Sequence, residues 1–146
     1  MPRLEGTNLG AGFVPLATIR IRIGERWTDG LAVADSGADC SIIPTEWLEG
    51  SGISFGDLPV TETRGWGAGG QFEFRLCDGD LFFREWRFAT RFQVAEPGAL
   101  PGMGLLGRND FFTHFIVRFN WSANPPWFQI DPDTKAKSSG AKRRKH

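Results

Sequence analysis

The chain has 146 residues, with 17 basic and 17 acidic side chains and therefore no formal net charge. This length predicts one domain, and its 13 Phe and 6 Trp predict a folded core, because aromatic side chains bury large areas and disordered chains lack them. No apolar stretch approaches the roughly 18 to 20 residues of a membrane span, and residues 1–12 lack the order of a signal peptide, so we expect a cytoplasmic protein without a membrane partner.

The charges are unevenly distributed along the chain. Residues 135–146 hold every lysine, six basic side chains in all and no acid, which leaves 11 basic against 17 acidic side chains in residues 1–134. We divide the chain into an N-terminal arm (1–12), one domain (13–131) and a basic disordered tail (132–146). A basic tail can bind phosphates, but a short run of like charge is more often a solvated terminus. Nucleic acid is therefore an unlikely partner, and only through the tail.

Alternating apolar and polar residues predict strands along most of the domain. In chain order these are LATIRIRI (16–23), RWTDGLAVA (26–34) after a turn at Gly24-Glu25, VTET (60–63), FEFRL (72–76), LFFREWRFATRFQV (81–94), IVRFN (116–120) and WFQI (127–130). Asp78-Gly79-Asp80 is predicted to be a hairpin turn. Helical pattern is confined to PTEWLEG (44–50) and RNDFFTHF (108–115). The predicted class is mainly β, with one short C-terminal helix.

Three segments are candidates for a functional site. The strand that ends in LAVA delivers Asp35 to the sharp turn Ser36-Gly37, where glycine tolerates unusual backbone and serine can hydrogen-bond nearby main chain. ETRGWGAGG (62–70) is a glycine-rich tip between two strands, able to bend over a ligand. GLLGRNDFF (104–112) carries an apolar strand into a short helix. Alone, each segment is more often an ordinary turn or connection.

Together and in this order, the segments resemble one protein family. VPLATIRIRIGERWTDGLAVADSGADCSIIP, then RGWGAGG, then LLGRNDFFTHFIVRFN are similar to a retropepsin, the retroviral-type aspartic protease, over roughly residues 14–121. The resemblance implies a closed, mostly β barrel with one lobe per chain, and a peptide or protein substrate.

The resemblance also implies a role for each site residue. Asp35 would be the catalytic carboxylate, with Ser36 and Gly37 as its supporting turn and Ala38 as a wall of the cleft. Asp39 and Arg108 would form a structural ion pair beneath the site. The flap that covers the substrate would consist of Gly65, Trp66, Gly67, Ala68, Gly69 and Gly70.

The single Asp-Ser-Gly motif predicts the oligomeric state. Hydrolysis of this type needs two aspartates that face one water, and the chain holds a single Asp-Ser-Gly. We therefore expect a twofold homodimer in which each copy contributes one Asp35. No cofactor and no metal are expected.

Other chemistry has weaker support. Cys40 and His114 are a nucleophile and a base in principle, but a lone thiol beside Ile42-Ile43 is more often a packing residue. Two histidines and two distant cysteines do not make a zinc ligand set, and GAGG lacks the Lys-Ser or Lys-Thr of a phosphate loop.

The main alternative function is a non-catalytic protein with the same fold. The domain would then be a dimerisation or peptide-binding module, with or without nucleic-acid contact through the basic tail. The intact Asp-Ser-Gly favours the enzyme, because a binding module has no need of an acid at this turn.

Overall fold

The computed structural model of the chain describes residues 3–8, 13–67, 70–100, 102–133 and 142–143. Strands dominate these residues, which confirms the mainly β class. The strands are β1 (Leu4–Glu5), β2 (Thr7–Asn8), β3 (Phe13–Val14), β4 (Leu16–Ile23), β5 (Arg26–Ala34), β6 (Ile42–Pro44), β7 (Val60–Gly67), β8 (Gly70–Phe83), β9 (Trp86–Ala95), β10 (Gly104–Leu106), β11 (Phe115–Asn120), β12 (Trp127–Pro132) and β13 (Lys142–Arg143).

The hairpin of β4 and β5 has the bounds that the sequence predicts. Ile19, Ile21 and Ile23 are at most 3% exposed, whereas Arg20 lies on the opposite face and donates to Asp29 of β5 at 2.6 Å. This alternation places one face of the hairpin in the core and the other in solvent. The hairpin ends at Ala34, directly before Asp35.

The predicted turn at Asp78-Gly79-Asp80 is wrong. These residues lie inside β8, which runs without a break over 14 residues. Gly79 is needed for close approach rather than for a turn, because a Cβ there would lie 2.7 Å from the carbonyl oxygen of Arg22. The side chain of Arg22 donates a hydrogen bond to the Asp80 carboxylate at 2.9 Å. The glycine and its acidic neighbour therefore serve strand pairing.

The hairpin turns instead at Arg84 and Glu85, between β8 and β9. Arg84 adopts a positive φ of 53°, which is uncommon for a residue other than glycine, asparagine or aspartate. No turn residue marks this position in the sequence, which explains why the pattern favoured the Asp-Gly-Asp alternative.

The predicted helices are reduced to single turns. Thr45–Leu48 and Phe55–Asp57 are 3₁₀-helical, and Arg108–Phe112 forms one wide π-helical turn. The short C-terminal helix expected over 108–115 is not shown: helical backbone is confined to Arg108–Phe112, and β11 begins at Phe115. Both Phe111 and Phe115 are buried, and their rings stack with centroids 4.7 Å apart.

The strands pair in three groups. β1, β12 and β11 form a three-stranded sheet, β2 pairs with β3, and the order of the large sheet is β13-β9-β6-β10-β5-β4-β8-β7, with a further pairing between β8 and β9. The closed barrel stays a prediction. In the large sheet β10 lies between β5, to which it is parallel, and β6, to which it is antiparallel.

The core has two parts. The main cluster contains aromatic and aliphatic residues from most strands, among them Ile21, Leu81, Phe92, Phe111 and Phe128. A smaller cluster of buried Ile42, Phe74 and Ala95, with partly buried Phe72, Ala99, Leu100 and Leu105 packed against it, lies apart from the main one. The smaller cluster borders the candidate site described below.

The ends of the chain join the sheets where they are described. Leu4 and Glu5 pair with Phe128 and Trp127, so part of the predicted N-terminal arm is a strand. Near the other end, β12 includes Pro132, and β13 pairs with β9. The division into an arm, a domain and a disordered tail stays a prediction. Residues 134–141 and 144–146 lie outside the described residues. Within the described ranges no helix is long and apolar enough to span a membrane.

A buried histidine predicts how stability depends on pH. His114 is 6% exposed and packs 4.4 Å from the Phe88 ring; burial lowers its pKa below the usual 6.5, with a smaller opposing effect of the Asp110 charge. Between the lowered pKa and 6.5 the unfolded chain binds a proton that the folded chain does not. The free energy of unfolding should therefore decrease as the pH falls through this interval.

Urea unfolding of the wild type and of His114→Gln at several pH values between 7.5 and 5.5 measures this effect. The variant lacks the titrating ring, so its stability should decrease less steeply in acid. Equal slopes for the two proteins would contradict the assignment to His114.

Candidate active site

Asp35 is held at the end of β5 by its own turn and by β10. Its main-chain N–H donates to the carbonyl oxygen of Leu106 at 3.1 Å, and its carbonyl oxygen accepts from Ala38 N–H at 3.1 Å. The side-chain Oδ1 accepts from Gly37 N–H at 2.9 Å. An aspartate side chain that bonds the main chain two residues ahead closes an Asx turn, so the carboxylate has a defined orientation.

The carboxylate lines a cleft of about 240 Å³. The walls combine polar and apolar residues: Asp35, Gly37, Ala38, Asp39, Ile42, Gly65, Phe72, Phe74, Gln93 and Leu105. Five of the residues singled out in the sequence are thus brought together here, namely Asp35, Gly37, Ala38, Asp39 and Gly65. Ser36 and Gly70 are exposed.

A hairpin of β7 and β8 borders the cleft. Gly65 pairs with Phe72 and Gly67 pairs with Gly70, with an irregular register between Val60 and Arg64. The predicted flap falls on the end of this hairpin. Its tip, Ala68 and Gly69, lies outside the described residues, as does the side chain of Trp66.

The segment after β10 is interlocked with the Asp35 loop. Arg108 N–H donates to the Ala38 carbonyl oxygen at 2.9 Å, and Asn109 N–H donates to that of Asp39 at 2.7 Å. Gly107 permits this approach, because a Cβ there would lie 2.3 Å from the Cys40 carbonyl carbon. Any side chain at this position would push the two segments apart.

Arg108 and Asp39 are in contact through their side chains, the guanidinium Nη2 donating to the carboxylate Oδ1. The two side chains are 55% and 63% exposed. An ion pair with this much solvent around it contributes at most about 1 kcal/mol. In the single chain the main-chain bonds around the pair therefore hold the loop more firmly than the pair does.

Asp110 is the residue that the sequence interpretation missed. Its carboxylate accepts from Ser41 N–H at 3.1 Å, from Ser41 Oγ at 2.8 Å, from Thr90 Oγ1 at 2.8 Å and from Phe111 N–H at 2.8 Å. Ser41 Oγ in turn accepts from Gly107 N–H at 3.1 Å. One partly buried carboxylate thus connects the Asp35 loop, β9 and the π-helical turn.

No local sequence pattern predicts that Asp110 connects these segments. Asp110 lies 69 residues from Ser41 and 20 from Thr90, and a serine and a threonine at such distances have no motif in common. The one indication in the sequence was the position of this acid, directly after Gly107-Arg108-Asn109 in the candidate segment 104–112.

Cys40 and His114 do not form a nucleophile and base. Burial raises the pKa of the Cys40 thiol, and burial lowers the pKa of His114; a thiolate paired with a cationic imidazole requires both shifts to run the other way. The polar neighbour of the thiol is Asn109 Nδ2, at 3.9 Å, and His114 packs on Phe88.

Comparison with known proteins identifies the fold. No protein-family model matches this sequence, and no curated protein matches it. Solved structures that are similar in three dimensions include the following two. The EIAV protease complexed with the inhibitor HBY-793 has a TM-score of 0.51 at 22% identity, over 70% of this chain and 89% of that one. A retropepsin-like aspartic protease from Rickettsia conorii has a TM-score of 0.59 at 14% identity, over 88% and 99%.

The fold is retropepsin-like. Similarity at these identities establishes the fold and leaves the chemistry to the residues of the cleft.

Asp110 and Asp39 make a matched pair for testing what holds the candidate site together. Asp110→Asn replaces an oxygen that accepts from Ser41 or Thr90 with an NH₂ donor, and it should lower the free energy of unfolding by about 2 kcal/mol. Asp39→Asn weakens an exposed ion pair and should cost less than about 1 kcal/mol. Urea denaturation measures both, and equal losses would contradict the dominant role of Asp110.

Proposed function

We propose that the protein is an aspartic endopeptidase that hydrolyses peptide bonds with a water activated by two Asp35 carboxylates. The observation that carries the proposal is the position of Asp35, which ends a strand in an Asp-Ser-Gly turn and faces a cleft bordered by a hairpin. The retropepsin-like fold supports it, because the two similar structures named above are described as proteases.

The second carboxylate would come from a second copy of the chain. The sequence contains one Asp-Ser-Gly, and the cleft of one chain holds Asp35 together with Asp39, whose side chain is engaged by Arg108. A twofold axis through the mouth of the cleft would bring the two Asp35 side chains together, as closed dimers do for any residue near their axis.

In the proposed dimer the two carboxylates share one proton. Two ionised carboxylates at hydrogen-bond distance repel each other, and a proton held between them removes this repulsion. The ionised member takes a proton from the bound water as the water attacks the scissile carbonyl, and the protonated member donates to the carbonyl oxygen. This chemistry uses no covalent intermediate, no metal and no cofactor.

The substrate would lie in the cleft as an extended peptide. The hairpin of β7 and β8 would cover it and offer main-chain hydrogen bonds, while side chains of alternate peptide residues enter the apolar walls. Closure of the glycine-rich tip would exclude water from the reacting groups.

Replacing the proposed catalytic carboxylate tests the function directly. Asp35→Asn keeps an oxygen that accepts from Gly37 N–H, so the turn and the assembly should persist while peptide hydrolysis falls at least about 1,000-fold, through loss of the acid and the base. Hydrolysis of a peptide mixture followed by mass spectrometry gives the activity, and thermal melting with sedimentation gives the folded dimer. Unchanged turnover would refute the assignment.

A mixed dimer tests whether two copies share one site. Wild-type and Asp35→Asn chains carrying different affinity tags are co-expressed, and the heterodimer is purified through both tags. One Asp35 per dimer should leave it inactive, because neither proton transfer has its partner. A heterodimer with half of the wild-type activity would show instead that each chain carries a complete site.

A further inference from the structure

One polar side chain lies within the apolar wall of the cleft. Gln93 is 8% exposed and lines the cleft together with Asp35. It occupies the face of β9 that also holds Ala95 of the smaller cluster, whereas Phe92 and Val94 point into the main core. Alternation along the strand therefore directs Gln93 to the side of the cleft.

The strands on either side of Gln93 place apolar residues next to it. Its partner position on β6 is Ile42, and its partner position on β8 is Leu76. Phe74 and Leu105 complete the apolar surroundings on this side. An amide at this position interrupts a continuous apolar surface.

The amide of Gln93 lacks a partner among the residues that the structure describes. Its main-chain N–H donates to the Ser41 carbonyl oxygen at 3.1 Å, but no described group bonds its side chain. The amide is not fully enclosed, since Trp86 Nε1 is the only enclosed side-chain polar atom without a partner among the described residues. It therefore faces the water of the cleft, where a ligand can pair with its N–H and C=O groups.

The surroundings define which ligand group fits. A side-chain amide offers both N–H donors and a carbonyl acceptor, so a second amide pairs with it reciprocally. The carboxylates of Asp35 and Asp39 in the same cleft repel an acidic side chain. The apolar walls formed by Ile42 and Leu105 cannot hydrate a charge. A neutral amide satisfies these conditions.

We propose that Gln93 is a specificity-determining residue, which selects peptides with an asparagine or glutamine side chain close to the scissile bond by pairing amide with amide inside the cleft. The inference rests on the proposed protease function, since it names the substrate class of the same site. Sites built to hydrogen-bond a substrate group discriminate against analogues that lack it, because their own polar group is then left unpaired.

Cleavage of an unbiased peptide library, with products identified by mass spectrometry, tests this selection. The proteins compared are the wild type, Gln93→Met, which keeps the length of the side chain and removes the amide, and the control Gln129→Met. Gln129 lies on β12, where its side chain donates to Asp131 at 2.8 Å, so the control makes the same chemical change outside the cleft.

We expect the wild type and Gln129→Met to enrich asparagine and glutamine at one position near the scissile bond. For matched peptides with glutamine or methionine at that position, the ratio of kcat/KM should fall roughly tenfold in Gln93→Met, as expected for the loss of a paired amide. Cleavage that depends on Asp35 but shows no such enrichment overturns the assignment to Gln93 and leaves the protease proposal intact.

Binding to the Asp35→Asn protein tests the selection without catalysis and with Gln93 in place. An array of an apolar host peptide, substituted at each position in turn by Gln, Asn, Met, Glu or Lys, should show roughly tenfold tighter binding of the Gln and Asn peptides at one position. Absence of any cleavage by the wild type would overturn the protease proposal. A retained preference in the array would then support amide recognition by a peptide-binding site, and equal binding would overturn the role of Gln93 as well.

Discussion

The site depends on the insertion of one short strand between two others. β10 lies between β5, which ends directly before Asp35, and β6, which follows the Asp35 loop. The residues directly after β10 then bond the loop itself, from Arg108 to Ala38 and from Asn109 to Asp39. Because both ends of the loop and its middle are bound to the same segment, the main chain that carries Asp35 is held in place relative to β10.

The carboxylate of Asp110 connects the Asp35 loop to β9 and to the turn after β10. Hydrogen bonds to an ionised acceptor are stronger than neutral ones, and this carboxylate accepts from Ser41, Thr90 and Phe111. Its partners belong to the loop, to β9 and to the turn after β10. The position of β9, and with it the position of Gln93 in the cleft wall, is thus linked to the position of the Asp35 loop.

The strands were predictable wherever one face is buried and the other is wet. β4 and β5 have their predicted bounds because Ile19 and Ile21 alternate with charged residues. The Asp78-Gly79-Asp80 segment misled the prediction, because a glycine that admits a neighbouring strand has the same local sequence as a glycine that turns the chain. Likewise the apolar spacing of RNDFFTHF suggested a helix, whereas burial of Phe111 and Phe115 is achieved by one turn followed by a strand.

By itself the sequence determined the mainly β class, the turn that presents Asp35 and the segments that surround it, because each of these depends on residues that are neighbours in the chain. The tertiary structure alone decided the role of Asp110 and the exposure of the Asp39 and Arg108 pair. It also placed Gln93 in the same cleft as Asp35. The physical reason is that these contacts join residues about 20 to 70 positions apart, and such contacts depend on strand order and register rather than on local pattern.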